Sequence, residues 1–337
     1  MASERAGYET TRRLRRVLAR EPRRALVGLA LLSASFGCGD ERTTAIELHD
    51  ELEDHEELPP GRHAQIHVVG ALDDTGRSDP SISAAARFAV FHGMDDTFAR
   101  SRISLSAPAL NRLAIDTCAR SGFGDELPRE GRAGPLAWRD LSLIDAGQVD
   151  LHFAGERITL DYALAPDLIN WMSGVEYRRY VDALPLGAFD RRAPTPLHLS
   201  VAGAAEEELP PFGLGASLPV PVDELRLDLD SDAQTLELSW SSEHSGRWPL
   251  LVRVHRGDAS LECVLADDGH FPLDASILDA AGLLDSTRPL ASGEGVELEI
   301  SRYDHLNVAA GVFEEIDVIL ETQLTTQLEL REFESED

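Results

Sequence analysis

Residues 223–240 read DELRLDLDSDAQTLELSW, and the reading of this stretch decides the fold. Leu225, Leu227 and Leu229 alternate with charged residues. After Ser231, Asp232, Ala233 and Gln234 the alternation resumes through Leu236, Leu238 and Trp240. A period of two places every apolar side chain on one face of an extended strand. Two such runs around a short polar segment predict a β-hairpin with one buried face. Trp240 ends the apolar series and is expected in the core.

The same period recurs on both sides. HAQIHVVGAL (63–72), ARFAVFHGM (86–94) and PLHLSVAG (196–203) read as strands. VDLHFAGERITLDY (149–162) reads as a hairpin turning at Gly155-Glu156, with Ile158, Leu160 and Tyr162 on one face. LINWMSGVEYRRYVDAL (168–184) suits a helix or a strand, because Gly174 weakens the helical reading. After residue 240, PLLVRVHRG, ASLECVLADDG, GVELEISRY and IDVILETQLTTQLELR supply further strands, and DASILDAAGLL supplies one helical segment. LPPFGLGASLPVPV (209–222) is Pro- and Gly-rich and reads as a connector or a sheet edge, since proline cannot donate to a sheet ladder. The expected fold is therefore mostly β. It comprises a β-rich domain over 63–218 and a β-sandwich over 219–332, with a charged tail at 333–337.

The region before residue 63 has a different composition. RRLRRVLAREPRR (12–24) is basic, and ALVGLALLSASF (25–36) is apolar and uncharged. This order is that of a secretory leader, and the apolar run is shorter than the ~20 residues a spanning helix needs. Gly37-Cys38 ends it in a relaxed bacterial lipoprotein pattern, so residues 1–38 are expected to form a signal with lipid attached at Cys38. The competing reading is a plain signal cut near ASFG. Residues 39–62 are acidic and close on Pro59-Pro60, as expected of a solvated tether; His49 and His55 within it are bland members of a charged stalk. The expected address is the outer membrane or cell surface as a lipoprotein, and otherwise the periplasm or the medium.

Charge and composition exclude whole classes. The net charge is −29, and the leader holds eight Arg against three Glu, so the chain beyond it is more negative still. Such a surface repels nucleic acid, whose binding depends on basic side chains releasing counterions. The chain contains no lysine. Schiff-base, phosphate-loop and Ser-x-x-Lys chemistries are excluded with it. Gly-x-Ser-x-Gly, His-Glu-x-x-His and Gly-x-Gly-x-x-Gly are also absent, and no cofactor is expected.

Cys118 and Cys263 remain after Cys38. In an exported chain they either form one disulfide or stay as two separate buried thiols. Asp228, Asp230 and Asp232 alternate and then meet Glu237, a weak calcium candidate that lacks the glycine and spacing of a calcium loop. An acidic solvent face explains the same residues. Trp171 and Trp248 suit core or rim packing, with stacking on a sugar as the alternative.

Over residues 80–331 the chain resembles uncharacterised secreted lipoproteins of the myxobacterial type. LAIDTC, LELSW, LLVRV, CVLADDGHFPL and LEISR carry the resemblance. Trp240 upstream of Cys263 is similar to the core of immunoglobulin-like sandwiches. The second cysteine of those domains is missing from 219–337. The resemblance implies an address and a fold, with no activity attached. The expected role is a non-catalytic binding or structural module for a protein or glycan partner. The alternative is a secreted hydrolase whose active-site residues are dispersed in sequence.

Overall fold

The computed structural model describes residues 60–332, apart from 76, 106–109, 111–112, 121–139, 166–171, 186, 231–234, 243–248 and 284–294. The protein is mostly β, with large sheets in a sandwich-like arrangement. The first half contains β1 (Gly61–Asp73), β2 (Ser81–His92), α1 (Asp96–Ile103), β3 (Thr117–Arg120), β4 (Asp140–Leu143), β5 (Val149–Phe153), β6 (Glu156–Thr159), β7 (Asp161–Ala165), β8 (Met172–Val181), β9 (Thr195–Val201) and β10 (Phe212–Leu218). The second contains β11 (Arg226–Asp230), β12 (Thr235–Ser239), β13 (Leu250–Arg256), β14 (Ala259–Leu265), β15 (His270–Leu273), α2 (Ala275–Ala280), β16 (Gly295–Ala310), β17 (Phe313–Glu329) and β18 (Arg331–Glu332).

Among the described residues these strands build one ten-stranded sheet in the order β3-β14-β13-β16-β17-β1-β2-β4-β8-β7. Two four-stranded sheets, β10-β9-β5-β6 and β15-β12-β11-β18, complete the set. The alternating apolar positions explain the layering. Ile66, Val68, Phe88, Val252, Ile300 and Val318 of the large sheet share one core with Leu151 and Leu199 of the first small sheet and Leu227 and Leu238 of the second. Both small sheets thus cover the same face of the large one. Fully burying one such side chain contributes roughly 1.5–3 kcal/mol.

The connector near Leu218 separates the two small sheets but does not divide the large one. β1 pairs in parallel with β17, from Ala64 opposite Ile316 to Asp73 opposite Thr325. Strands from both sides of the connector therefore share the ten-stranded sheet, with β14, β13, β16 and β17 lying between β3 and β1. By their contacts, residues 56–337 group together.

Local chemistry explains the boundaries. The Asp95 carboxylate accepts from the Phe98 amide and caps α1, and Asp274 does the same for α2 through Ile277. The β11–β12 hairpin forms in the expected register, Leu227 opposite Leu238; its tip, 231–234, lies outside the described residues. The 149–162 segment departs from expectation in two ways. Its turn is Ala154-Gly155, both at positive φ (50° and 82°), as a two-residue hairpin turn requires. Tyr162 does not follow Ile158 and Leu160 into the core, because the chain changes sheets at β7 and leaves it exposed. β8 resolves the helix-or-strand ambiguity as a strand. Gly174 permits it: a Cβ there would collide with the Leu143 carbonyl of the neighbouring β4.

Candidate functional site

The second face of the large sheet carries an unexpected arrangement. His63, Gln65 and His67 alternate with the core residues of β1 and point away from the small sheets. An alternating polar set of this kind normally faces solvent, yet His63 and Gln65 are buried, at 2% and 6% exposure. The cover is a strap between β2 and β3, of whose described parts α1 lies over one region of this face, Leu110 and Leu113 lie over another, and β3 joins the sheet at its far edge. Ala99 and Ile103 of α1 pack on Ala89, Phe91, Leu141 and Leu143. Farther along, Leu110 and Leu113 pack on Leu251, Val264 and Tyr303. Arg100 reaches Glu315 at 2.5 Å.

Backbone groups of this strap need partners, and the sheet supplies them. The Leu105 amide donates to Gln65 Oε1. Arg87, opposite Gln65 on β2, donates to the carbonyls of Ile103 and Ser104, both at 3.3 Å. His67 Nδ1 lies 3.0 Å from the Leu105 carbonyl and its Nε2 lies 2.8 Å from Glu321 Oε2. Both partners of this ring accept, so the pair is satisfied only when two protons are shared between imidazole and carboxyl. Burial alone would raise Glu321; hydrogen bonds from His67, Ser301 and Tyr303 outweigh it and hold the carboxyl below its ordinary value. Tyr303 is pushed up, first by burial and then by Glu321. Arg87 is in turn held by Glu176 at 2.9 Å. Four residues back along β1 from His67, His63 meets Asp317, which bridges His305 (2.9 Å) and His63 (3.2 Å), and these two bonds depress its carboxyl strongly. His63 Nδ1 has no hydrogen-bond partner among the described residues.

The strap ends in covalent chemistry. β3 pairs antiparallel with β14, and Cys118 stands opposite Cys263. The two form a disulfide with Cα atoms 4.0 Å apart, closing a loop of sequence separation 145. Sequence left this pairing open because the distance between the cysteines is a property of the sheet order.

A second buried network joins the layers. The side chains of Arg302 on β16 and of Asp267 are 2% and 1% exposed, with Nε 2.9 Å from Oδ2 and Nη2 3.2 Å from Oδ1. Trp240 donates its indole N–H to the same Asp267 at 2.9 Å, and Arg302 also donates to the Val220 carbonyl at 2.9 Å. The expected core tryptophan is thus also a polar anchor.

Of the other residues singled out in sequence, Asp228 and Asp230 share a face of β11, while Cys38, Asp232, Trp171 and Trp248 lie outside the described residues. No cluster of three or more metal-ligating side chains occurs among the described residues. A groove of 790 Å³ lies on the first small sheet, lined by His152, His198, Asp190 and Thr195 with apolar walls that include Phe153 and Leu197.

No protein-family model and no curated protein matches the chain. Among solved structures it is similar to one described as structural insight into host cell surface retention of a 1.5-MDa bacterial ice-binding adhesin, at 12% identity and a TM-score of 0.18. That match covers 80% of this chain and 66% of the other. The Fcho1 Mu homology domain of Danio rerio with bound Eps15 peptide matches at 7% identity and a TM-score of 0.22, covering 83% of this chain and all of that one. Scores this low carry neither fold nor function to this chain.

Proposed function

We propose that the protein is an exported, lipid-anchored envelope protein that acts as a non-catalytic binding or structural module for a protein or glycan partner. The observation that carries this reading is the Cys118–Cys263 disulfide in a chain whose remaining cysteine, Cys38, closes an apolar leader. Disulfides persist in oxidising compartments and are rare in the cytosol. An acyl chain at Cys38 contributes ~0.8 kcal/mol per buried CH₂, so several chains hold a protein on a membrane without a spanning helix. No helix among the described residues is long and apolar enough to span one.

The titratable groups support a binding role over a catalytic one. His67 has both ring nitrogens engaged, and Arg87, Glu176 and Glu321 are committed to holding the strap. The exposed side chains suited to recognition lie elsewhere. Tyr162, Leu164 and Tyr180 are 56%, 81% and 63% exposed on β7 and β8. Large side chains beside a free strand edge supply both main-chain pairing and side-chain anchoring to a partner.

The test is fractionation and intact mass of the mature protein beside a Cys38→Ser variant in a bacterial host with a lipoprotein pathway. The expected result is a diacylglyceryl mass and membrane recovery, both lost in the variant. An unlipidated chain beginning near Gly39 in the soluble fraction contradicts the anchor. Turnover of an ester or glycoside by the purified protein contradicts the non-catalytic part and favours the hydrolase.

A further inference from the structure

We infer that His152 and His198 form a site for a divalent transition-metal ion of the copper, nickel and zinc class. His152 on β5 and His198 on β9 are paired across neighbouring antiparallel strands, and both side chains are exposed on the outer face of the first small sheet. Their ring centroids stand 6.0 Å apart with the planes inclined at 49°. Two imidazole nitrogens at ~2.1 Å from one metal place the ring centres roughly 4.6–6.5 Å apart as the N–metal–N angle opens from 90° to 180°. The backbone therefore already holds the rings at chelating separation, and only side-chain rotation remains.

The surroundings leave room for that rotation. β10 presents glycine at both positions beside His198. A Cβ at Gly213 would stand 3.3 Å from Cε1 and Nε2 of the His198 ring, and the space above Gly215 is open. On the other side of His152, Arg157 is drawn away to Asp150 at 2.7 Å, a bond that holds the Asp150 carboxyl down at about 2. The groove beside the histidines has space for the water molecules that would complete the coordination. Asp190 on its wall and the net charge of −29 favour a cation over an anion. Imidazole selects the late first-row metals over magnesium and calcium, with copper bound most tightly. This site is separate from the exposed β7 edge and does not depend on the lipid anchor.

The test is calorimetric titration of the full chain with Cu(II) at neutral pH, with electron paramagnetic resonance of the loaded protein. His152→Ala and His198→Ala are compared with His270→Ala, an exposed histidine far along the sequence. Losing one of two tethered ligands removes the advantage of a second intramolecular bond, so each of the first two variants is expected to weaken the strongest site at least ~10-fold. The copper spectrum should change from two equatorial imidazole nitrogens to one. His270→Ala should leave both readouts unchanged. A His152→Ala/His198→Ala double variant that keeps wild-type affinity and spectrum would place the copper elsewhere, for instance at His49 and His55, and overturn the site. Equal weakening by His270→Ala would overturn it too.

Discussion

The two edges of the ten-stranded sheet are managed in opposite ways. At one edge, β3 has four residues, and a disulfide fastens it to β14. At the other, β7 pairs with β8 alone among the described residues, and Tyr162 and Leu164 are exposed. An unprotected edge is a template for pairing with another chain, and proteins usually blunt it with charge, proline or cover. The stapled edge belongs to a strap that seals buried histidine, arginine and glutamate groups beneath it. The open edge has no such burden. The difference teaches where this protein spends its rigidity, and which edge is left for contact.

The largest effect should come from the staple. A Cys118→Ser/Cys263→Ser variant releases the cross-link and restores chain entropy to the unfolded state, so it should lose about 2–5 kcal/mol in urea unfolding. A loss below ~1 kcal/mol would mean that packing of Leu110 and Leu113 alone holds the strap. Next is the clamp. Arg87→Met leaves the Ile103 and Ser104 carbonyls without their donor and Glu176 with only Arg178, and should cost about 2–3 kcal/mol. Amide exchange should accelerate in α1 and the Leu105 region and stay unchanged in β7.

Acid should act at the centre of the sheet, between the two edges. Asp317 binds its proton at lower pH in the folded chain than in the unfolded one, because His305 and His63 hold the carboxylate. Its contribution is fully present above about pH 4 and drains as the pH falls below that. Asp317→Asn should be less stable at neutral pH and should show a shallower acid loss between about pH 4 and 2. An unchanged acid slope would exclude Asp317 as a source. The smallest effect belongs to the open edge. Leu164→Lys should change stability by less than ~0.5 kcal/mol, because the side chain touches little. It should reduce concentration-dependent self-association if β7 pairs between copies, and light scattering would detect this.

Sequence and structure agree best where one face alone is buried. DLHF, LRLDL and TLELS announce their strands and faces through a period of two, and the β11–β12 register follows from it. The period is silent about neighbours. Nothing in residues 61–73 points to residues 313–329, although β1 and β17 pair over ten positions. That pairing hid both the shared sheet and the cysteine geometry. The period also misleads at His63, Gln65 and His67, which look like a solvent face and are sealed by the strap. A signal was present: in a chain with 60 acidic residues, this alternating set holds no carboxylate. Likewise, Arg87 in ARFAVF reads as exposed and is held under the strap beside Gln65.

The most direct test is peptide mapping of the full-length protein under non-reducing conditions, with free thiols alkylated first. A cross-linked peptide containing Cys118 and Cys263, separated by reduction, is the predicted result. Stoichiometric alkylation of both residues before reduction would contradict the stapled edge, and with it the oxidising address on which the proposed function rests.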